Sequence, residues 1–261
     1  MKKISAVIIA KNEEEMIKDA LESLSFCDEI IVISNDSTDK TKEISEKYAK
    51  IYDFKSNDFS ELRNIGLNKA NYEYVLYLDA DERISGELKK SIQDVLSKDL
   101  DFSAYKLLRK NYYLGSSKKN EWPYVEKLER LFKKEKLKKW EGQLHESPVV
   151  EGKIGLLNGY ILHFTHRDLE SMLEKTINWS QTEALLRYNS NHPKITWWRF
   201  PRIMITAFLN SYIKQRGYKA GTVGIIESIY QAFSVFITYA KLWELQNSSR
   251  FKAQRPKNKE L

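Results

Sequence analysis

Tyr74-Val75-Leu76-Tyr77-Leu78-Asp79-Ala80-Asp81-Glu82 is an apolar run that ends abruptly in three carboxylates. A strand that delivers carboxylates at its carboxyl end sets hard oxygen ligands at the edge of an open α/β sheet, which is where such sheets bind their ligands. That edge suits a divalent cation and a phosphate. The bland alternative is a solvated turn after a strand.

Working outward from this run, strand and helix signals alternate through the first hundred residues. Residues 4–10 form an unbroken apolar strand, and Asn12 with Glu15 has the spacing of an N-cap pair opening a helix with Met16, Ile17, Ala20, Leu21 and Leu24 on one face. Strands are predicted over 29–34, 51–54 and 74–79, and helices from the Asp36-Ser37-Thr38-Asp39 turn through 48, over 60–70 and over 85–97. Near-continuous apolar strands separated by amphipathic helices predict a parallel α/β sheet covered on both faces. Beyond residue 100 the rhythm becomes irregular and aromatic-rich. The opening Met-Lys-Lys-Ile-Ser-Ala run breaks at Lys11 without a small-residue cleavage site, so it reads as the first strand and not as a signal peptide.

Composition suits an ordinary cytoplasmic enzyme. A chain of 261 residues, 42% hydrophobic, buries one good core and leaves material for an appendage. Cys27 is the single cysteine, which excludes an intramolecular disulfide and thiol-rich metal sites and reads as apolar filler beside Phe26. Charge is unevenly spread: residues 1–100 carry 15 basic and 21 acidic groups, whereas residues 192–261 carry 12 and 3. The tail therefore favours an anionic surface. A third block, 106–139, has 12 basic against 4 acidic residues and either faces polyanions or headgroups or is a solvated loop and helix face.

Ala10-Lys11-Asn12-Glu13 after the first strand, Ser37-Thr38-Asp39 after the second, Leu62-Arg63-Asn64-Ile65-Gly66-Leu67 before the fourth and Leu78-Asp79-Ala80-Asp81-Glu82 closing it occur in one order over about 80 residues. This ordered set resembles family 2 glycosyltransferases with the GT-A nucleotide-sugar fold, a Rossmann-like mixed sheet. Arg130-Leu131-Phe132, Trp140-Glu141-Gly142, His145-Glu146, Leu162-His163-Phe164-Thr165-His166-Arg167-Asp168 and Tyr239-Ala240-Lys241-Leu242-Trp243 extend the likeness to the bacterial lipopolysaccharide inner-core glucosyltransferase group. The resemblance implies a nucleotide-sugar donor, by kinship a uridine nucleotide, and a lipid-linked saccharide acceptor. It also implies Asn12, Glu13 and Asp39 around the donor's base and ribose. Ser34 and Asp36 stand where related sequences commonly carry aspartate and glycine.

Transfer from a nucleoside diphosphate requires neutralising the departing diphosphate, which a divalent metal, Mn or Mg, does as a Lewis acid. Asp81 is the expected metal ligand, with Asp79 beside it on the metal or the ribose. Arg63 is expected to fork onto a donor phosphate, or else to form a surface pair with Glu61 or Asp58. An inverting enzyme needs a base on the acceptor side, and His145-Glu146 supplies both residue types. Glu146 is the expected base and His145 a metal ligand or diphosphate contact, with the opposite assignment open. Trp140 either walls the sugar pocket or is structural. Thr165 and Asp168 have the spacing of a capping box for the helix carrying Leu169, Met172, Leu173 and Leu186, which leaves His163 or His166 to reach the diphosphate.

The expected organisation is a nucleotide-sugar-binding and catalytic domain over 1–165, a C-terminal helical extension over 166–250 and a disordered basic tail over 251–261. Within 222–243, Glu227, Gln231, Ser234, Thr238 and Lys241 recur at steps of four and three, which marks an amphipathic helix and not a membrane span. Trp197-Trp198-Arg199-Phe200-Pro201-Arg202 and the 212–218 segment interleave aromatics with cations, a composition suited to an anionic membrane surface. The extension is thus expected to hold the enzyme peripherally at the cytoplasmic face of the membrane, or to pack as a helical subdomain or a homo-oligomer interface. A basic nucleic-acid-binding protein is the rival class, but the Asp79–Glu82 carboxylates repel a polyanion, so no nucleic-acid partner is expected. The nearer rivals are a nucleotidyltransferase and a transferase acting on a peptide or a polyprenyl phosphate.

Overall fold

The computed structural model describes residues 2–98, 101–115, 117–142 and 146–248. His145 and the 251–261 tail, expected to be a base or ligand and disordered respectively, lie outside the described residues. The chain divides into two compact units, Met1–Asn111 with Val125–Thr165, and Tyr112–Tyr124 with His166–Leu261.

The first unit is built on a mixed sheet. Strands β1 (Ile4–Ala10), β2 (Glu29–Asn35), β3 (Lys50–Phe54) and β4 (Tyr74–Asp79) run parallel in the order β3-β2-β1-β4. The sheet then continues through β7 (Glu121–Lys133), β6 (Ala104–Tyr113), β10 (Ile154–Thr165) and the short β5 (Glu82–Ile84), with β7 antiparallel to β4 and β10 antiparallel to β5. A two-stranded ribbon pairs β8 (Leu137–Glu141) with β9 (Ser147–Val150). The segment that reads as irregular in sequence is therefore largely strand.

Helices cover both faces of the parallel half, so strand residues divide by parity. Ile4, Ala6, Ile8, Leu76 and Leu78 meet α1 (Ile17–Ser23) and α4 (Gly86–Ser97), while Val7, Ile9, Val75 and Tyr77 meet α3 (Phe59–Lys69) and Trp140 of β8. Every residue of β1 is buried, as a central parallel strand requires. Helix α2 (Thr41–Ser45) is shorter than the sequence pattern predicts. Asp58 caps α3 by accepting from the Ser60 and Glu61 amides, and Ser85 caps α4 through Leu88. Asn12 does not cap α1: the helix begins after Met16, and Asn12 sits at φ +54 with its side chain turned to another loop.

The second unit contains α5 (Leu169–Asn189), α6 (Arg199–Leu209) continued by a π turn (Asn210–Lys214), and α7 (Gly221–Asn247). Asp168, not Thr165, caps α5, in a reciprocal box with Ser171. Met172 is buried as expected of a core position, whereas Leu169 and Leu173 are exposed. With the turn before it, residues 217–247 are long and apolar enough to cross a membrane by length and composition. The polar stripe of α7 faces its own unit: Glu227 is buried, Ser234 meets Thr176 and Lys241 donates to the Ile177 carbonyl.

Candidate active site

Parallel register brings the exits of β1, β2 and β4 side by side, with Ala10 opposite Ser34 and Ile9 opposite Asp79. The loops that leave them therefore share one sheet edge. Asn12, Glu13, Asp39, Asp79 and Asp81 all lie there.

The centre of this edge is a chain of alternating charges. Glu126 binds Arg109, Arg109 binds Glu82 at 2.9 Å, Arg130 lies 3.5 Å from Glu82 and 2.7 Å from Asp79, and Arg63 joins Asp79 at 3.0 Å to Glu146 at 2.8 Å. Arg63 is buried, so a surface pair with Glu61 or Asp58 does not describe it; its Nε and Nη2 are engaged by Glu146 and Asp79, while Nη1 makes no hydrogen bond among the described residues. Its guanidinium lies 4.9 Å from the Trp140 ring centroid, and Trp140 packs edge-on against Tyr77 and Phe132. Trp140 is thus a buried structural aromatic, tied further by Asn64, which accepts from its amide at 2.8 Å.

Asp79 is pinned on both of its carboxylate oxygens. One oxygen accepts from Arg63 and the other from Arg130, while its amide donates to Glu82 Oε2 at 3.0 Å. Burial works to raise its carboxyl, but Arg130 and then Arg63 override this and hold it well below the usual carboxylate range. Both of its oxygens are engaged by guanidiniums, which sets it apart from Asp81.

Asp81 has a different neighbour. Antiparallel pairing sets His163 of β10 opposite Glu82, the Asp81 carbonyl accepts from the Phe164 amide, and His163 Nε2 lies 3.2 Å from Asp81 Oδ2. On its other side His163 Nδ1 meets Asn111 Oδ1 at 2.7 Å. In a neutral ring with Nδ1 donating to that oxygen, Nε2 would present a lone pair toward the carboxylate oxygen, an arrangement that a shared cation satisfies. The donor set of one imidazole and one carboxylate fits Mn²⁺ or Mg²⁺ with phosphate oxygens as further ligands. Among the described residues no group of three His, Cys, Asp or Glu side chains gathers to hold a metal alone. The two histidines separate in role: His166 meets Glu227 Oε2 at 2.9 Å within the second unit.

The two loops beside β1 and β2 are stitched together. Asn12 Oδ1 accepts from the Thr38 amide at 2.8 Å, Asp39 accepts from the Glu14 and Thr41 amides, and the Glu13 amide donates to Thr41 Oγ1 at 2.8 Å. Asp39 is lowered in pKa: burial opposes this, and the hydrogen bonds from Thr41 and Glu14 outweigh it. Asn12 and Asp39 consequently hold the two loops together, with the Glu13 amide tied to Thr41 between them.

Several residues escaped the sequence reading. Arg130 stands in the quoted Arg-Leu-Phe motif without a role, while Arg109 and Asn111 lie in a strand that reads as a basic loop. Arg83 carries no motif signal at all. It donates to the Ala80 and Glu82 carbonyls at 3.0 and 2.8 Å and to the Met16 carbonyl at 2.6 Å, which fastens the backbone on both sides of Asp81.

Comparison with known proteins agrees in class. The profile of Glycosyl transferase family 2 matches residues 5–149. An uncharacterized glycosyltransferase of Rickettsia typhi is 32% identical over 264 residues, covering 96% of this chain and 90% of the relative. The lipopolysaccharide core biosynthesis glycosyltransferase LpsC of Rhizobium meliloti is 25% identical over 253 residues, covering 92% of each. Among solved structures, S. aureus TarS residues 1–349 in complex with UDP-GlcNAc is 16% identical with a TM-score of 0.46, covering 95% of this chain and 91% of that one.

Proposed function

The chain belongs to glycosyl transferase family 2, and on that premise we propose that it moves a hexose, glucose as first choice, with inversion from a uridine diphosphate sugar to a lipid-linked saccharide of the lipopolysaccharide-core type. The observation that carries this reading is the convergence of Asp81, His163 and the Arg63-held Glu146 at the exit of β4. Likeness to LpsC along most of both chains supports the acceptor class. The enzyme works at the cytoplasmic face of the cell membrane, held peripherally.

Asp81 and His163 would hold a divalent cation, which supplies Lewis-acid neutralisation of the departing diphosphate. The remaining tasks fall to side chains. Glu146 takes the proton of the acceptor hydroxyl as that oxygen bonds to the anomeric carbon; the bond from that carbon to the diphosphate oxygen breaks, and its electron pair leaves with the diphosphate. His145 is the other candidate for the proton. Arg63 orients Glu146, because Nε and Nη2 both lie 2.8 Å from Oε1. Asp79 organises the turn and does not ligate, while Asn12, Glu13 and Asp39 shape the pocket for base and ribose.

Ligand-induced thermal stabilisation tests this directly, since binding to the native state raises apparent stability by mass action. UDP-glucose with Mn²⁺ should raise the melting temperature of the parent and of Glu146→Gln, but not of Asp81→Asn. Glu146→Gln should at the same time lose transfer. An undiminished shift in Asp81→Asn would remove Asp81 from donor binding, and normal transfer by Glu146→Gln would move the base elsewhere.

A further inference from the structure

The second unit packs a small apolar core of Ala184, Ile195, Leu242 and Leu245 and also buries Glu227, Ser228, Ser211 and Thr176, satisfied through Ser211 to Ser228 at 3.0 Å, Thr176 to Tyr230 at 2.7 Å and His166 to Glu227 at 2.9 Å. Its outer surface carries further apolar residues. No residue of α6 is buried, and Ile205, Leu209 and Ile213 are 59%, 47% and 57% exposed at steps of four along one face of the helix and its π turn. A water-facing helix places such residues inward.

The ends of this stripe are built for a charged boundary. At the amino end Trp197 is 81% exposed, and the guanidiniums of Arg199 and Arg202 each lie 5.7 Å from the Trp198 ring centroid. At the other end come Lys214, Arg216 and Lys219, all exposed, with Tyr218. The sequence holds no aspartate or glutamate between Glu183 and Glu227. A two-fold contact with a second copy would press this all-cationic face against itself, whereas an anionic lipid surface complements it.

We infer that α6 and its π turn lie in the plane of an anionic bilayer, with Ile205, Leu209 and Ile213 inserted at the headgroup–acyl boundary and the flanking cations on lipid phosphates. Residues 199–214 extend about 24 Å at helical rise, too short to span a hydrocarbon core of about 30 Å. Helix α7 does not span either. Hydrogen bonds from Tyr230 to the Met172 carbonyl and from Lys241 to the Ile177 carbonyl fix it along α5, which exposes Glu170, Glu174 and Lys175, and a spanning α7 would drag these charges into hydrocarbon.

This inference deepens the membrane-face reading and rests on it for its biological setting. The test is flotation of the full chain with vesicles of phosphatidylcholine alone and of phosphatidylcholine enriched in phosphatidylglycerol. The parent should float with the anionic vesicles only. Ile205→Glu with Leu209→Glu, and separately Arg199→Gln with Arg202→Gln, should each weaken partitioning at least about tenfold, the second pair guarding against misfolding of the first. Metal-dependent stabilisation by UDP-glucose should persist in both variants, so that failure of insertion is distinguishable from failure of the transferase reading. Undiminished flotation of both variants, equal binding to neutral vesicles, or a dimer in sedimentation that Ile205→Glu dissociates while vesicle binding is unchanged would each overturn the inference.

Discussion

Replacing Arg63 by methionine removes a buried guanidinium while keeping most of its stem. Arg63 Nη2 lies 3.0 Å from Asp79 Oδ1, and Nε and Nη2 lie 2.8 Å from Glu146 Oε1. Truncating one member of a buried ion pair costs about 3–5 kcal/mol, because the partner keeps its charge without its counterion. The low end applies here. Asp79 retains Arg130 at 2.7 Å, and the Glu146 side chain, 17% exposed, recovers water. A loss of about 3 kcal/mol, at a urea slope of about 2 kcal/mol/M, moves the unfolding midpoint down by about 1.5 M. Tryptophan fluorescence is the appropriate readout because Trp140 lies against the guanidinium. The link across the sequence is then isolated by a double-mutant cycle with Glu146→Gln, for which a coupling of about 1–2 kcal/mol is expected. Strictly additive single effects, or a midpoint that does not move, would refute the assembly of Asp79 and Glu146 around one arginine.

Gly66→Ala should destabilise the protein by about 1–3 kcal/mol in thermal or urea unfolding, because the new Cβ would lie 2.3 Å from Val7 Cγ1 and force α3 away from β1. An unchanged midpoint would mean that this helix–strand contact is looser than described. Asp79→Asn should follow pH in a defined direction. The folded carboxyl is depressed by Arg130 and Arg63, so its stabilisation is fully present above the unfolded value of about 3.9 and is lost as pH falls through the folded one. The stability gap between parent and variant should be constant near neutrality and narrow below about pH 4; a gap that widens toward acid would contradict the assignment.

The parallel half is legible because its central strands are buried on both faces and so appear as unbroken apolar runs, from Ile4 to Ala10 and from Tyr74 to Leu78. The antiparallel half is not. In β6 and β7, Lys106 faces Glu129 at 3.5 Å and Arg109 meets Glu82 and Glu126, so charges occupy positions where a strand pattern normally shows apolar residues. Those charges made 106–139 resemble a solvated basic block. In the site, Asp79 and Asp81 are visible as a motif, but their different surroundings come from Arg130 and His163, which lie 51 and 82 residues from their partners. Asn12 does not serve as the N-cap that its spacing predicts, for a related reason. Its side chain serves a loop 26 residues away and not the adjacent helix.

The alternating chain of carboxylates and guanidiniums also bears on how the protein is made. Glu82, fully buried, must wait 27 residues for Arg109, and Asp79 must wait 51 for Arg130. Asp79 finds Arg63 already made, yet closing the edge beyond β4 at that stage would bury Glu82 in a low-dielectric interior before Arg109 and Arg130 exist. The β4–β5 edge is therefore expected to close late, once β6 and β7 have been made, and so to couple the early parallel half to strands that arrive after it.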